Sequence, residues 1–219
     1  MGKEIDLLVN YPKTKRDLSK RLVQKSEEDR AIARRFGKDF FDGDRKHGYG
    51  GFSYYPKFWK PVIPTFIDYW KLNENSSILD VGCAKGFMMH DFLEEIPNID
   101  IQGIDISEYA IQNCMETVKN LVSVADAKKL MFDDNSFDVV ISINTIHNLN
   151  KDECAEALKE IERVSRGKSF VTVDAYRNAN EKERMYAWNL TAQTIMSVDE
   201  WIDFFKSVGY TGDYYWFIP

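Results

Sequence analysis

From residue 77 onward, short apolar stretches of strand length alternate with amphipathic stretches of helix length, and this alternation constrains the fold most. It predicts strands at 77–81, 100–106, 121–125, 137–143, 169–174 and 214–218. Helices are predicted at 87–95, 107–119, 151–164 and 198–208. Strands that are separated by helices form parallel sheets with helices on both faces. We therefore expect an α/β fold: a three-layer, Rossmann-like sandwich with a mostly parallel, six- or seven-stranded sheet.

The first 60 residues differ in texture from the rest of the chain. Apolar residues recur at helical spacing over 13–40, and a glycine-rich, aromatic segment follows at 42–61. A further helix is predicted from residue 57 or 61 to residue 72. We expect two units: an N-terminal helical arm with an aromatic, Gly-rich cap over 1–60, and a ligand-binding domain over 61–219.

Charge is distributed unevenly between these two units. Residues 1–60 carry 15 Lys and Arg against 9 Asp and Glu, whereas residues 61–219 carry 14 against 26. So acidic a body is a poor surface for nucleic acid, which needs several cationic contacts to phosphates. A solvated amphipathic helix is the simpler interpretation of the basic arm, and a surface that receives an anionic small molecule is the alternative.

Other features bear on the compartment and on metals. No apolar run reaches the length of a membrane span, and the first residues lack the pattern of a signal peptide. Three cysteines without CxxC spacing indicate reduced thiols and no zinc site. We expect a cytoplasmic protein without a metal ion, and without a membrane or nucleic-acid partner.

Acidic residues stand at the ends of the first three predicted strands: Asp80, Asp105 and Asp126. A turn follows the first strand and leads into a helix, and it contains the small residues Gly82, Ala84 and Gly86. Ligands of open α/β sheets bind beyond the carboxyl ends of the strands, and small residues allow close approach. Each glycine alone is compatible with a helix-entry turn, and each acid with an N-cap. Since the G-x-G-x-x-G fingerprint is not met, a dinucleotide oxidoreductase is disfavoured.

Four segments within residues 77–174 carry a family resemblance: ILDVGCAKG, GIDIS, ADAKKLMFDDNSFDVVISINTIHNL and EIERVSRGKSFVTVD. In order and spacing they resemble the class I S-adenosylmethionine-dependent methyltransferases, of the small-molecule group related to the ubiquinone/menaquinone enzymes (type 11). The resemblance implies a seven-stranded sheet whose last strand runs antiparallel. Ala84 departs from the family's middle glycine. Only one convincing strand follows the fifth, so another is absent, displaced or hidden in 185–196.

The resemblance also implies a cofactor, S-adenosylmethionine, with S-adenosylhomocysteine as the product. By this resemblance Asp105 takes the ribose hydroxyls, Ile106 packs on the adenine, and Asn144 lies near the methionine end. Asp126 and Ala127 flank the adenine edge. The methionine part is held by the turn after the first strand, comprising Asp80, Gly82, Cys83, Ala84 and Gly86.

Methyl transfer needs an in-line approach, exclusion of water and, for some acceptors, a base. The candidate bases are His147 after the fourth strand, His47 in the aromatic segment and Asp174 at the end of the fifth. His147 is also compatible with packing only, and Asp174 with a salt-bridged loop; His90 is expected to be structural. The acceptor is expected to contact the aromatic segment and the end of the fifth strand, through Tyr49, Tyr54, Tyr55, Tyr176 and Arg177.

The predicted activity is methyl transfer to an oxygen or nitrogen of a small metabolite or sugar, by a monomer or homodimer. The alternatives are a protein side-chain methyltransferase and a non-catalytic, S-adenosylmethionine-binding regulatory protein. A cleft with cationic walls concentrates anions, so phosphate or carboxylate on the acceptor is favoured if the basic arm covers the crevice. The cations concerned are Arg45, Lys46, Lys57, Lys60 and Arg177, beside His47. The alternative is that these charges only dock the arm.

Overall fold

The computed structural model describes residues 2–13 and 25–219, and in these residues seven strands form one sheet with helices on both faces. The strands are β1 (Ser77–Val81), β2 (Asp100–Asp105), β3 (Val122–Val124), β4 (Val139–Ile143), β5 (Ser169–Tyr176), β6 (Met196–Ser197) and β7 (Asp213–Phe217). The helices are α1 (Glu27–Ala33), α2 (Lys38–Phe41), α3 (Pro56–Trp59), α4 (Ile63–Trp70), α5 (Phe87–Glu95), α6 (Glu108–Gln112), α7 (Lys151–Val164), α8 (Ala179–Trp188) and α9 (Val198–Val208). Short 3-10 helices follow α6 and β4, at Glu116–Val118 and Ile146–Asn148.

The strands follow the order β3-β2-β1-β4-β5, and both β6 and β7 pair with β5. β7 pairs with residues 170–174 of β5, and β6 pairs with residues 175–176. Every pair is parallel, so the carboxyl ends of neighbouring strands meet at one edge. The α/β prediction is confirmed, with seven strands.

The antiparallel last strand that the resemblance implies is wrong for this chain. An antiparallel neighbour is reached through a hairpin, whereas a parallel one needs a crossover. Here the eleven-residue helix α9 lies between β6 and β7, and β7 enters the sheet in the direction of β5. The missing strand is the two-residue β6, at the end of the interval in which a hidden strand was expected.

Two apolar cores cover the two faces of the sheet. One core packs α7 and α9 on the sheet, with Ile161 and Trp201 fully buried against Val171 of β5. The other packs α4 and α5, with Phe66 and Phe92 against Ile101 of β2. Strands covered on both faces are apolar throughout, which explains why β1, β4 and β5 were recognisable from the sequence.

Elsewhere the structure differs from the predicted helices. Of the helix predicted over 13–40, residues 14–24 lie outside the described residues. The described part consists of two helices, α1 and α2, and the chain between them is interrupted at Phe36, whose φ is 48°. The helix predicted over 107–119 ends at Gln112 and is followed by a 3-10 helix. Helix α8 was not predicted because only Met185 is buried in it, so it lacks an apolar stripe.

The N-terminal residues pack on the domain, and the division at residue 60 stays a prediction. Ile5 donates to the Tyr214 carbonyl and Tyr214 to the Lys3 carbonyl, which extends the sheet beside β7. None of the helices in 2–13 and 25–219 has the length and apolar character of a membrane span.

Candidate cofactor and acceptor site

The turn after β1 is held tightly against β2 and the segment after β4. The amides of Gly82 and Cys83 both donate to the Ile104 carbonyl, and Gly82 has a φ of 89°. A β-carbon on Gly82 would overlap the side chain of Thr145. Only glycine combines this backbone conformation with this close approach. The next small residue, Ala84, also has a positive φ, of 49°, which explains why the family prefers glycine there.

Asp105 at the end of β2 ties this turn to the sheet. Its two carboxyl oxygens accept the backbone amides of Ala84 and Ser107, each at 2.8 Å. Burial raises the pKa of Asp105, although these two amide bonds oppose the shift. The carboxyl is therefore fixed in position at the strand end, with lone pairs still available for further donors.

Asp80 at the end of β1 is buried, and no cationic side chain in the described ranges pairs with it. Burial, reinforced by the charge of Asp105, raises the pKa of Asp80 to about 8. A buried carboxylate without a counter-charge is unfavourable, and a cationic ligand removes the penalty. Asp80 and Asp105 thus fit a ligand that brings an ammonium group and hydroxyl donors, as S-adenosylmethionine does.

The remaining cofactor residues lie along the same edge of the sheet. Ile106 is 55% exposed after β2. Asp126, followed by Ala127, accepts the Lys128 amide at 3.0 Å and pairs with the Lys128 ammonium at 3.5 Å. Asn144 after β4 is exposed, with a φ of 52°, and its carboxamide oxygen accepts the Thr172 hydroxyl at 2.9 Å. The fold therefore brings the predicted cofactor residues to four adjacent strand ends.

The N-terminal segment is joined to the turn after β1 by a partly buried ion pair that the sequence did not predict. Lys85 lies within this turn, and its ammonium contacts Asp42 at 2.6 Å and the Phe52 carbonyl at 2.9 Å. Asp42 also accepts the Phe52 amide and the Tyr109 hydroxyl, both at 2.8 Å. Burial opposes the charge of Asp42, but these bonds together lower its pKa to about 2.

Aromatic rings extend this contact over the start of α5. Phe52 stacks on Phe87, the first residue of α5, with ring centroids 4.8 Å apart. Tyr49 packs on Phe52, and the Tyr54 hydroxyl donates to the buried Asp91 at 2.5 Å. Tyr55, by contrast, is 56% exposed. The aromatic segment thus covers the start of α5 beside the turn, and its role as a cap over the acceptor stays a prediction.

His147 and Asp174 lie together beneath the ends of β4 and β5. The His147 Nδ1 accepts the Asp174 amide at 3.1 Å, so its proton resides on Nε2, 3.7 Å from the Asp174 carboxyl. Burial lowers the pKa of His147 against the opposing charge of Asp174, and burial raises the pKa of Asp174. Trp201 donates to the Asp174 carbonyl at 2.9 Å. The ring is neutral and enclosed, and its base role stays a prediction.

The other predicted acceptor residues point to contacts within the protein. His47 and Lys46 both approach Asp29 of α1, at 3.1 and 3.8 Å. Arg45 donates to the carbonyls of Gly48 and Tyr49. The remaining polar groups contact residues that are far away in the sequence, at long contact distances. Arg177 pairs with Glu4 at 3.9 Å, and Lys60 pairs with Glu94 at 3.9 Å. The Tyr176 hydroxyl contacts the Glu200 carboxylate at 3.4 Å. Lys57 lies over the Phe58 ring at 5.1 Å, and the His90 Nδ1 contacts the Thr117 hydroxyl at 2.9 Å.

The residues that sequence reasoning missed are Asp42, Lys85 and Tyr109. A lysine inside a buried glycine-rich turn is a usable signal, because a buried ammonium needs a counter-charge. Nothing in the sequence indicates that the partner lies 43 residues upstream. Within the described ranges, no cluster of three or more His, Cys, Asp or Glu side chains is arranged to hold a metal ion.

Comparison with known proteins covers the part of the chain in which this site lies. A family model described as a methyltransferase domain matches residues 78–168. The strands and turn that carry Asp80, Gly82 and Asp105 lie inside this match. Over residues 78–168 the chain is therefore similar to the class I S-adenosylmethionine-dependent methyltransferases.

The curated relatives of this chain differ in what their names say they do. A tRNA (carboxymethyluridine(34)-5-O)-methyltransferase of Arabidopsis thaliana is 28% identical over 143 residues, 65% of this chain and 33% of that protein. A mitochondrial arginine-hydroxylase of Mus musculus, NDUFAF5, is 34% identical over 87 residues, 39% of this chain and 24% of that protein. The crystal structure of the [4+2]-cyclase SpnF matches with a TM-score of 0.57 at 19% identity, over 72% of this chain and 58% of that one.

The matches share a domain and not a whole protein. The chain spans about a quarter to a third of the length of the two curated relatives. The likeness to the cyclase, at 19% identity, shows the fold alone.

Proposed function

We propose that this chain binds S-adenosylmethionine at the carboxyl ends of β1 to β4 and transfers its methyl group to an oxygen or nitrogen of a small acceptor. The observation that carries the proposal is the pair Asp80 and Asp105. One carboxyl is buried with no counter-charge among residues 2–13 and 25–219, and the other is fixed by two amides beside the glycine turn. This arrangement suits an ammonium group next to a ribose.

When bound, the cofactor supplies an activated methyl group on a sulfonium. The protein's own part is to hold it and to exclude water, which accounts for much of the acceleration of such transfers. Asp105 accepts from the ribose hydroxyls, Asp80 from the ammonium, and Ile106 packs on the adenine. Asp126, Ala127 and Asn144 complete the edge, and the aromatic segment closes it from the N-terminal side.

Incubation of the protein with methyl-labelled S-adenosylmethionine and separate small-molecule, protein and RNA fractions tests the acceptor class. Label in the small-molecule fraction supports the proposal. Label in protein supports the side-chain alternative, and cofactor binding without transfer to any fraction supports the regulatory one. The RNA fraction is included because a relative is named as a tRNA methyltransferase, although the acidic body of this chain opposes binding of a polyanion.

The base role of His147 is tested with His147→Gln. Loss of a general base lowers the transfer rate by about 10²- to 10⁴-fold and leaves S-adenosylhomocysteine affinity unchanged. If His147 only packs against Asp174, the melting temperature falls while the transfer rate per folded molecule stays within a few-fold. Single-turnover rates and thermal melts, measured on the same preparation, separate the two roles.

A further inference from the structure

A cavity of about 480 Å³ lies between α1 and the segment that follows α8. Its walls include Arg30 and Arg34 of α1, Tyr186 of α8, and Gln193. This volume falls in the range of small-molecule sites, about 300–1,000 Å³. None of the predicted cofactor residues named above lines this cavity.

The cavity is coupled to the carboxyl edge of the sheet through its own wall. The amides of Gln193 and Thr194 both donate to the His147 carbonyl, each at 3.0 Å. The Gln193 side chain donates to the Asn148 carbonyl at 2.7 Å. The Asn148 side chain in turn donates to the Asn144 carbonyl at 3.2 Å, so hydrogen bonds link this wall of the cavity to the predicted methionine end of the cofactor site.

The two arginines differ in how far the protein satisfies them. Arg30 donates to the Asn189 carbonyl and pairs with Glu27 at 3.4 Å, although that glutamate side chain is 88% exposed. Arg34 donates only from Nε, to the Thr191 carbonyl at 3.3 Å. Across residues 2–13 and 25–219, neither terminal nitrogen of Arg34 has an acceptor and no carboxylate pairs with it.

A half-buried guanidinium with free terminal nitrogens is a bidentate donor for a carboxylate or phosphate. The half-exposed Tyr186 ring and Ile195 provide apolar surface beside it. We propose that this cavity is the acceptor subsite, and that Arg34 binds an oxyanion group of a small acceptor with an apolar or planar body. The inference rests on the proposed function and gives it a substrate class.

The anion site is thus placed at Arg34 rather than at Arg45, Lys46 or Arg177, whose contacts are described above. Docking of α1 uses carbonyls at the end of α8, which Lys25, Arg30 and Arg34 each contact through one nitrogen. Docking alone leaves the terminal nitrogens of Arg34 unexplained.

Titration of the full chain with phenyl phosphate and with benzoate at constant ionic strength tests this subsite. The readout is the NMR signal of the Arg34 side-chain Nε–H, with inorganic phosphate as a third probe. We expect a saturable shift with the aryl probes, weaker binding of inorganic phosphate, and at least fivefold weaker aryl binding in Arg34→Gln. Arg34→Lys, which keeps the charge without the fork, should fall between. Arg35→Gln, on the exposed neighbour, is the matched control and should stay within twofold of the unmodified chain.

The dissociation constants of phenyl phosphate and benzoate, compared with each other, show which oxyanion the site prefers. No saturable shift in the unmodified chain, or equal losses in Arg34→Gln and Arg35→Gln, would overturn the subsite. Tighter binding of a short RNA oligonucleotide than of phenyl phosphate would overturn the small-molecule class. S-adenosylhomocysteine binding is measured in parallel. If it persists while the probes fail, only the subsite is wrong; if it is absent, the proposed function fails as well.

Discussion

The ends of β1 and β2 and the ends of β4 and β5 both place acidic residues at the carboxyl edge of one sheet, yet the two regions use them differently. At β1 and β2, Asp80 and Asp105 stand beside a turn built from backbone amides and positive φ angles. At β4 and β5, His147 and Asp174 are turned towards each other and buried. In the first region Asp80 has no cationic partner among the described residues, whereas the second region is satisfied from within.

The contrast reflects how each region is stabilised. The turn after β1 is held mainly by its own backbone amides, which donate to Ile104 and Asp105 of the neighbouring strand, and by the ion pair Asp42–Lys85. The segment after β4 depends on the amides of residues 193–194, which donate to the His147 carbonyl, and the end of β5 depends on Trp201; later parts of the chain supply both. A ligand site formed by backbone groups of a short segment can therefore be predicted from the sequence, whereas a pair of side chains brought together by the fold cannot.

The largest effect is expected from Gly82→Val, which attacks the backbone-built region. A branched residue there has an unfavourable φ, and its side chain overlaps Thr145. We expect the free energy of unfolding to fall by about 3 kcal/mol or more, and we expect cofactor binding to be lost. Chemical denaturation measures the first and calorimetry the second. Gly167→Ala, at a positive φ with open space around it, is the control and should lose about 1 kcal/mol. Equal losses of stability in both variants would show that the close approach of Gly82 to Thr145 does not matter for the turn.

Asp105→Ala should weaken S-adenosylhomocysteine binding by about 1–3 kcal/mol, because the ribose donors lose a charged acceptor. Asp100→Ala, at the exposed start of the same strand, should leave the affinity unchanged. Calorimetry on both variants compares the two ends of β2. An unchanged affinity in Asp105→Ala would show that the ribose assignment is wrong.

Asp42→Asn removes the charge that compensates the buried Lys85 ammonium. We expect a loss of stability of about 1–3 kcal/mol, since a buried charge is left with a weaker partner. The adjacent, exposed Asp44→Asn should change stability by less than about 0.5 kcal/mol. Denaturant melts measure both, and a double-mutant cycle with Lys85→Met isolates the pair. A coupling energy near zero would mean that the N-terminal segment is not held by this contact.

A smaller effect is expected from pH. The pKa of Asp80 is raised to about 8, so between pH 6 and 8 its carboxyl must lose a proton to bind an ammonium. Affinity for S-adenosylhomocysteine should rise with pH by at most about tenfold per unit and level off above pH 8. Stability of the ligand-free protein should change in the opposite sense, falling as pH rises from about 4 through 8. Asp80→Asn should remove both trends; if they persist, another group is responsible.

Much of the domain was predictable because parallel strands covered on both faces are apolar throughout, and because Asp80, Asp105 and Asp126 mark strand ends. Helix α7 was predicted with its bounds, since its apolar stripe and capping box are local signals. Helix α8 was not predicted because it lacks an apolar stripe. Strand β7 was predicted, but its parallel direction was not, because the direction is set by how the chain crosses the sheet. The partners of Asp42 and Arg34 are long-range contacts that leave no local pattern.

The central claim is that the carboxyl ends of β1 and β2 form a binding site for S-adenosylmethionine. Calorimetric titration of the unmodified chain with S-adenosylhomocysteine tests it most directly. We expect one site per chain with a dissociation constant in the micromolar range, which corresponds to a binding free energy on the order of −8 kcal/mol. Absence of detectable binding at millimolar ligand would contradict the claim.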